Sequence, residues 1–267
     1  MPMTSVFRSL HSKMERPLVL PNVWDVGGAK RAESLGAKAV ATTSAGVAWS
    51  LGYADGKMPV ERQAQLASDL VRAVKVPVSI DVEAGYSDDP EVVGENLKCV
   101  LDAGIAGVNI EDRLGEPRLL AEKIEVIKRN AAAMKIDVFV NARTDVYLKR
   151  VVSDENKAEE TLARAIRYAE AGADGLFVPG LTELTQIAQI TAGTKLPVSL
   201  LAWPGLPKAD DLAKVGVRRL SAGPAISQVI WQQIATLTKS FLAVGDSELF
   251  AKDPMAYSAL QKLFAEM

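Results

Sequence analysis

Val78-Ser-Ile-Asp-Val-Glu-Ala-Gly-Tyr-Ser87 is a run rich in β-branched residues that delivers two carboxylates, Asp81 and Glu83, and then breaks at Gly85. The pattern predicts a buried strand over Val78–Asp81 that runs out into a loop, with the acids at its carboxyl end. Side chains two apart on a strand point to one face. The pair is therefore expected side by side, an arrangement that raises a pKa or calls for a cation. A solvated strand end would carry the same letters, so the pair takes its meaning from its surroundings.

Outward from this stretch, short apolar runs alternate with amphipathic segments from Leu18 onward, the signature of β-α units on a parallel sheet. Eight strands are predicted, at residues 18–20, 39–42, 78–81, 107–111, 138–141, 175–178, 198–201 and 219–221. Helical patterns cover 25–35, 60–74, 90–103, 119–134, 155–171, 183–192, 208–215 and 225–241. A glycine recurs just after a helix and before a strand, at Gly36, Gly104, Gly172 and Gly216. A left-handed cap at each would turn the chain back into the sheet. Eight such units specify a (β/α)8 TIM-type barrel, here one domain over residues 1–245 that includes an N-terminal helix. Residues 246–267 form a helical tail with an apolar face of Leu249, Phe250, Met255, Tyr257, Leu260, Leu263 and Phe264. That face is expected to bury itself on a neighbouring subunit, making a homo-oligomer (dimer or tetramer), or to fold back on its own barrel.

With 267 residues, 48% hydrophobic and 24% charged, the chain has the profile of a soluble globular protein. A net charge of −2 and the lack of a basic cluster speak against nucleic acid as a partner. No apolar run approaches the ~20 residues of a membrane span. The first 17 residues carry Arg8, Lys13, Glu15 and Arg16 and do not resemble a signal peptide, so a cytoplasmic location is expected. One cysteine and one histidine rule out an internal disulfide and a Cys/His zinc site. Cys99 is expected as a buried structural thiol and His11 as part of the N-terminal helix, leaving acid/base work to carboxylates, Lys, Tyr or water.

In such a barrel, functional groups sit at the carboxyl ends of the strands. Those ends offer Asp55 after strand two, Asp81 and Glu83 after strand three, Glu111 after strand four, and Asn141, Arg143 and Asp145 after strand five. Unshielded, Asp55, Asp81, Glu83 and Glu111 would repel strongly at low dielectric, and a hard divalent cation removes the problem. All-oxygen ligation fits Mg²⁺, with Mn²⁺ as its substitute. Asn141 and Arg143 aim the same way, and the guanidinium can hold a substrate carboxylate through two parallel hydrogen bonds or simply neutralise Asp145 or Glu111. Thr43 and Ser44, with the backbone N–H groups of Ser44 and Ala45, can hold another anionic oxygen at the turn after strand two.

Taken together, Asp81-Val-Glu-Ala-Gly-Tyr86, Asn109-Ile-Glu-Asp112, Asn141-Ala-Arg-Thr-Asp145, Thr43-Ser-Ala-Gly46 and Leu51-Gly-Tyr-Ala-Asp55 resemble the isocitrate lyase / phosphoenolpyruvate mutase superfamily, over most of residues 18 to 245. The resemblance implies a barrel that binds Mg²⁺ and 2-oxo or enol acids, commonly as a tetramer with exchanged C-terminal helices. It implies that Asp81 ligates the metal directly while Asp55, Glu83 and Glu111 hold its waters. Thr43, Ser44 and Ala45 would cradle the carboxylate of a pyruvate-like unit, with Arg143 and Asn141 as further substrate contacts. Arg143, Glu111 and Asp55 form the expected catalytic set, making or breaking a bond to C3 of a pyruvate enolate. Two features depart from the pattern. After Glu111 the chain reads Asp112-Arg-Leu-Gly-Glu-Pro-Arg-Leu-Leu120, a short lid without the lyase cysteine, and Pro179 stands near the place of a family histidine. The resulting expectation is a Mg²⁺-dependent lyase or decarboxylase acting on a small 2-oxo or 2-hydroxy dicarboxylate, of oxaloacetate or methylisocitrate type. The alternatives are a phosphoenolpyruvate mutase-like or phosphonopyruvate-processing enzyme and a non-catalytic binder of pyruvate-like acids.

Overall fold

The structure is a computed structural model and describes residues 1–12, 15–148 and 152–265. Helix α1 (Met3–Leu10) precedes β1 (Leu18–Leu20), β2 (Asn22–Val23), α2 (Val26–Ser34), β3 (Val40–Thr42), α3 (Ser44–Ser50) and α4 (Val60–Ala73). Then come β4 (Val78–Asp81), α5 (Pro90–Asp102), β5 (Gly107–Glu111), α6 (Pro117–Ala133), β6 (Phe139–Arg143) and α7 (Lys157–Glu170). The second half holds β7 (Gly175–Val178), α8 (Leu184–Gly193), β8 (Val198–Leu201), α9 (Ala209–Lys214), β9 (Arg219–Ser221), α10 (Ala225–Val244) and α11 (Tyr257–Ala265).

All nine strands are parallel and form one sheet in the order β1-β9-β8-β7-β6-β5-β4-β3-β2. The two ends of that order are one interrupted strand. Pro21 lies between β1 and β2 and has no N–H to continue the ladder to β9. Its carbonyl instead accepts from Ala41 N at 3.2 Å, so β1 pairs with β9 while β2 pairs with β3. The ring thus closes as an eight-unit (β/α)8 barrel. Each expected strand is present, and Pro21 accounts for the ninth segment. The four recurrent glycines cap helices with φ of 90°, 82°, 100° and 91° at Gly36, Gly104, Gly172 and Gly216, all left-handed.

Two local expectations are corrected. The segment after β3 is the helix α3 rather than a turn, with extended Thr43 as its N-cap. Cys99 is exposed, not buried. In α5 the inward stripe is Val93, Leu97, Val100 and Leu101, and two residues beyond Leu97 a helix has turned by about 200°.

The amino end of the lumen is plugged by α1. Phe7, Leu18, Leu20, Ala39, Ala41, Ala106 and Phe139 form a buried cluster there. Two strand glycines make the room: a Cβ at Gly107 would lie 3.0 Å from the Phe7 ring, and one at Gly175 would lie 2.6 Å from Asn141 Oδ1. Arg8 fastens α1 from outside through Asp137 and Asp174. Among the described residues no helix is long and apolar enough to cross a membrane.

His11 closes α1, stacked on Phe139 with ring centroids 4.5 Å apart and with Nδ1 2.8 Å from Phe7 O. Burial, and then the charge of Arg219, pull its pKa down to about 3. An unfolded chain takes up this proton near pH 6.5. The stability His11 contributes is therefore complete above that pH and is lost as pH falls toward 3. Urea unfolding of wild type and His11→Leu from pH 7 to pH 4 should show a steeper loss of stability in wild type. Equal slopes would refute the assignment.

Candidate active site at the carboxyl mouth

Asn22, Thr43, Ser44, Ala45, Asp55, Asp81, Asn109 and Arg143 converge on a cavity of about 260 Å³ at the carboxyl end of the strands. Phe177, Leu201 and Trp203 form its apolar wall. A second, more open cavity adjoins it, where Ser44, Asp55 and Arg143 meet Lys57, Glu83, Glu111, Arg113 and Asp145. Larger cavities of about 520 and 610 Å³ lie against α10 and hold no cluster of acids, which makes the mouth the candidate site.

Asp81 ends β4. Its backbone is held by Thr42 Oγ1, which accepts from Asp81 N at 2.8 Å, and by Gln63 Nε2, which donates to Asp81 O at 3.0 Å. The side chain accepts from Glu83 N at 3.1 Å and from Ser44 N at 3.4 Å. Burial raises its pKa, opposed by Arg143. Glu83 does lie close by, though not through strand alternation. The strand ends at Asp81 and Glu83 is left-handed at φ 52°, so a tight turn delivers it. Burial and then the Asp81 charge lift its pKa to about 7.

Glu111 ends β5 and accepts from Arg143 Nη1 at 2.8 Å and from Arg113 Nε at 3.0 Å; burial raises its pKa as well. Arg113 also donates to Glu83 at 2.8 Å, so one half-exposed guanidinium bridges both glutamates. Arg143, at the end of β6, donates through Nε to Asp145 at 2.7 Å. It therefore does neutralise Glu111 and Asp145, and it lines the cavity while doing so. Asp55 is exposed at the rim.

Asn141 does not reach the cavity. It shares the inward face with Arg143 but sits one layer deeper, fully buried, donating to Asn109 Oδ1 at 2.9 Å. Asn109 is the amide that reaches the cavity. Sequence reasoning also passed over Asn22, which bonds Thr42 O at 2.8 Å and Gly223 N at 2.7 Å and so seals the barrel seam. Its position just after a strand-splitting proline was the available signal. Arg113 stands in the short loop as a candidate substitute for the missing lid groups, and no spacing rule places it there, because its reach depends on left-handed φ values of 48° and 63° at Arg113 and Leu114. With Glu83 and Tyr86, these are four non-glycine left-handed residues around one cluster of acids, the kind of strain that collects at functional sites.

Asp112 holds this loop from behind. Its Oδ1 accepts from Leu114 N (2.9 Å) and Asp145 N (3.1 Å), and its Oδ2 from Arg164 Nη1 (2.8 Å) and the Tyr168 hydroxyl (2.8 Å). One buried carboxylate thus ties the β5–α6 loop to the β6–α7 loop. Loss of its charge strands buried Arg164, and breaking such a pair costs about 3–5 kcal/mol. Urea unfolding of Asp112→Asn should register a loss of that size, against under about 1 kcal/mol for Glu160→Gln at the more exposed partner of Arg164. Equal losses would show that Asp112 does not carry the clamp.

A parallel (β/α)8 barrel with paired acids and arginines at its carboxyl mouth has the layout of an enzyme active site. The phosphoenolpyruvate phosphomutase family model matches residues 7–242. The chain belongs to that family. An uncharacterized protein of Mycobacterium tuberculosis is 39% identical over 221 residues, 81% of each chain. The 2-methylisocitrate lyase of Aeropyrum pernix is 30% identical over 203 residues, covering 72% of this chain and 63% of its own. A crystal structure of a candidate phosphonomutase from Burkholderia cenocepacia superposes with a TM-score of 0.83 at 38% identity, covering 89% of this chain and 98% of the other.

Proposed function

We propose that the protein is a Mg²⁺-dependent lyase or decarboxylase that acts on a small 2-oxo or 2-hydroxy dicarboxylate through a pyruvate enolate. The observation that carries this reading is the half-buried Asp81 at the centre of the mouth, flanked by Glu83, Glu111 and Arg143. An oxaloacetate decarboxylase of Pseudomonas entomophila is 29% identical over 167 residues, 60% of this chain and 56% of its own, which agrees with the chemistry proposed.

The donors suit the metal. They are all oxygen, and among the described residues no three His, Cys, Asp or Glu side chains come close enough to hold one ion together. A hard cation would be held there by Asp81 and several waters, with Glu83, Glu111 and Asp55 on the waters. Mg²⁺, or Mn²⁺ in its place, supplies when bound a Lewis acid for the 2-oxo group. Thr43, Ser44 and Ala45 receive the carboxylate of the pyruvate unit. Arg143 stays charged, because Glu111, Asp145 and Asp81 outweigh the pull of burial. It stabilises the negative charge that develops as the C3–C4 bond breaks. Glu111 and Asp55 orient the water that returns a proton to C3. Phe177, Leu201 and Trp203 keep bulk water from that carbon.

A second reading, processing of a phosphonate such as phosphonopyruvate, is favoured by the family match and by the Burkholderia relative. A screen of 2-oxo and 2-hydroxy acids with Mg²⁺ decides between them. The lyase reading expects oxaloacetate turnover that falls about 10²–10³-fold in Arg143→Ala and disappears in a folded Asp81→Ala. Phosphonopyruvate turnover followed by phosphorus NMR, with oxaloacetate untouched, would replace it with the second reading. If Mg²⁺ alters neither activity nor thermal stability, the metal assignment fails.

The same proposal includes a homo-oligomer. Helix α10 leaves Val229, Trp231, Phe241, Leu242 and Val244 exposed, while α11 rests against α2 of its own chain with the Phe264 ring 3.5 Å from where a Gly27 Cβ would stand. Removal of residues 246–267 should lower the number of subunits per particle in light scattering. An unchanged number of subunits per particle would exclude the tail from assembly.

A further inference from the structure

Two residues before Ser221, whose side chain lines the cavity, β9 carries Arg219. Residues two apart on a strand share a face, so Arg219 points into the lumen beneath the cavity floor, where it is completely buried. Its register neighbours are Leu18 and Ser199. Ser199 bonds Asn141, which in turn bonds Asn109 at the floor.

Nε, Nη1 and Nη2 of Arg219 have no hydrogen-bond partner among the described residues. Burial pulls its pKa down to about 10, which still leaves it charged at neutral pH, and Asp81 is the group that pulls it back up. On the amino side His11 is neutral. A buried cation with no bonded partner costs the fold stability and gives it nothing a methionine of similar length would not. Its charge acts on whatever occupies the mouth above.

We infer that Arg219 is an electrostatic positioning residue, a fixed positive charge under the cavity floor that favours an anionic ligand in the mouth and opposes a cation that arrives without one. This rests on the proposed metal-and-acid reading of the mouth. It separates Arg219 from the groups that touch substrate: its influence passes through Asp81 and the Asn109–Asn141 floor.

The test is calorimetry on wild type and Arg219→Met, with Mg²⁺ alone and then with oxalate, a planar dianion shaped like a pyruvate enolate, at saturating Mg²⁺. Responses of opposite sign are expected. Arg219→Met should bind Mg²⁺ as tightly as wild type or more so, bind oxalate about tenfold more weakly, and keep or raise its thermal midpoint. A side chain that merely props up the barrel would weaken both ligands together and lower the midpoint, and that pattern overturns the inference, as does unchanged oxalate affinity. Should Arg219→Met not fold, Arg219→Gln is judged by the same criteria, and failure of both to fold makes the role structural and the inference wrong. Wild type that binds neither Mg²⁺ nor oxalate removes the reading of the mouth itself, and the role of Arg219 falls with it.

Discussion

The mouth of this barrel depends on Arg143 reaching two acids at once. Its Nη1 engages Glu111 at the end of the neighbouring strand and its Nε engages Asp145 in its own loop. Burial alone would make each of these three charges expensive, and together they offset one another. The pairing fixes the guanidinium without hiding it, so a charged donor is presented to the cavity before any ligand arrives. Preorganisation of this kind is what makes such a group useful, since no reorganisation is needed when charge develops.

Arg143 can hold that position because the backbone beneath it is held. Asp112 N donates to Arg143 O at 3.1 Å, and Asp112 Oδ1 accepts from Asp145 N. The same carboxylate reaches back to Arg164 and Tyr168 on α7, so the helix outside the barrel fixes the loops at its mouth. The left-handed residues Arg113 and Leu114 are affordable only because Asp112 secures the turn around them.

The barrel was legible in the sequence because its signals are local and repeated. Strand runs, amphipathic helices and four glycines in phase each depend only on neighbours in the chain, and all four glycines take the predicted left-handed conformation. The mouth was legible as far as strand ends determine it: Asp81, Glu111 and Arg143 are the last residues of their strands. What was misread depends on rotation or depth. Cys99 lies off the buried stripe of α5 by half a turn, and Asn141 lies one strand step too deep to reach the cavity. Glu83 was placed near Asp81 for the wrong reason, since period-two alternation does not survive past the end of a strand.

Arg113 would set the terms on which the proposed cation enters. It already spans Glu83 and Glu111, the oxygens that would take a metal's waters. A cation that uses both glutamates must displace the guanidinium from at least one, so its arrival is an exchange of positive groups and not the filling of an uncompensated site. The guanidinium is half exposed, and Asp112 Oδ1 pins the backbone of the next residue, Leu114, so the exchange would ask for rotation of a side chain. Asp81 makes no direct ion pair among the described residues and is only partly buried, so a cation could reach it without displacing any arginine.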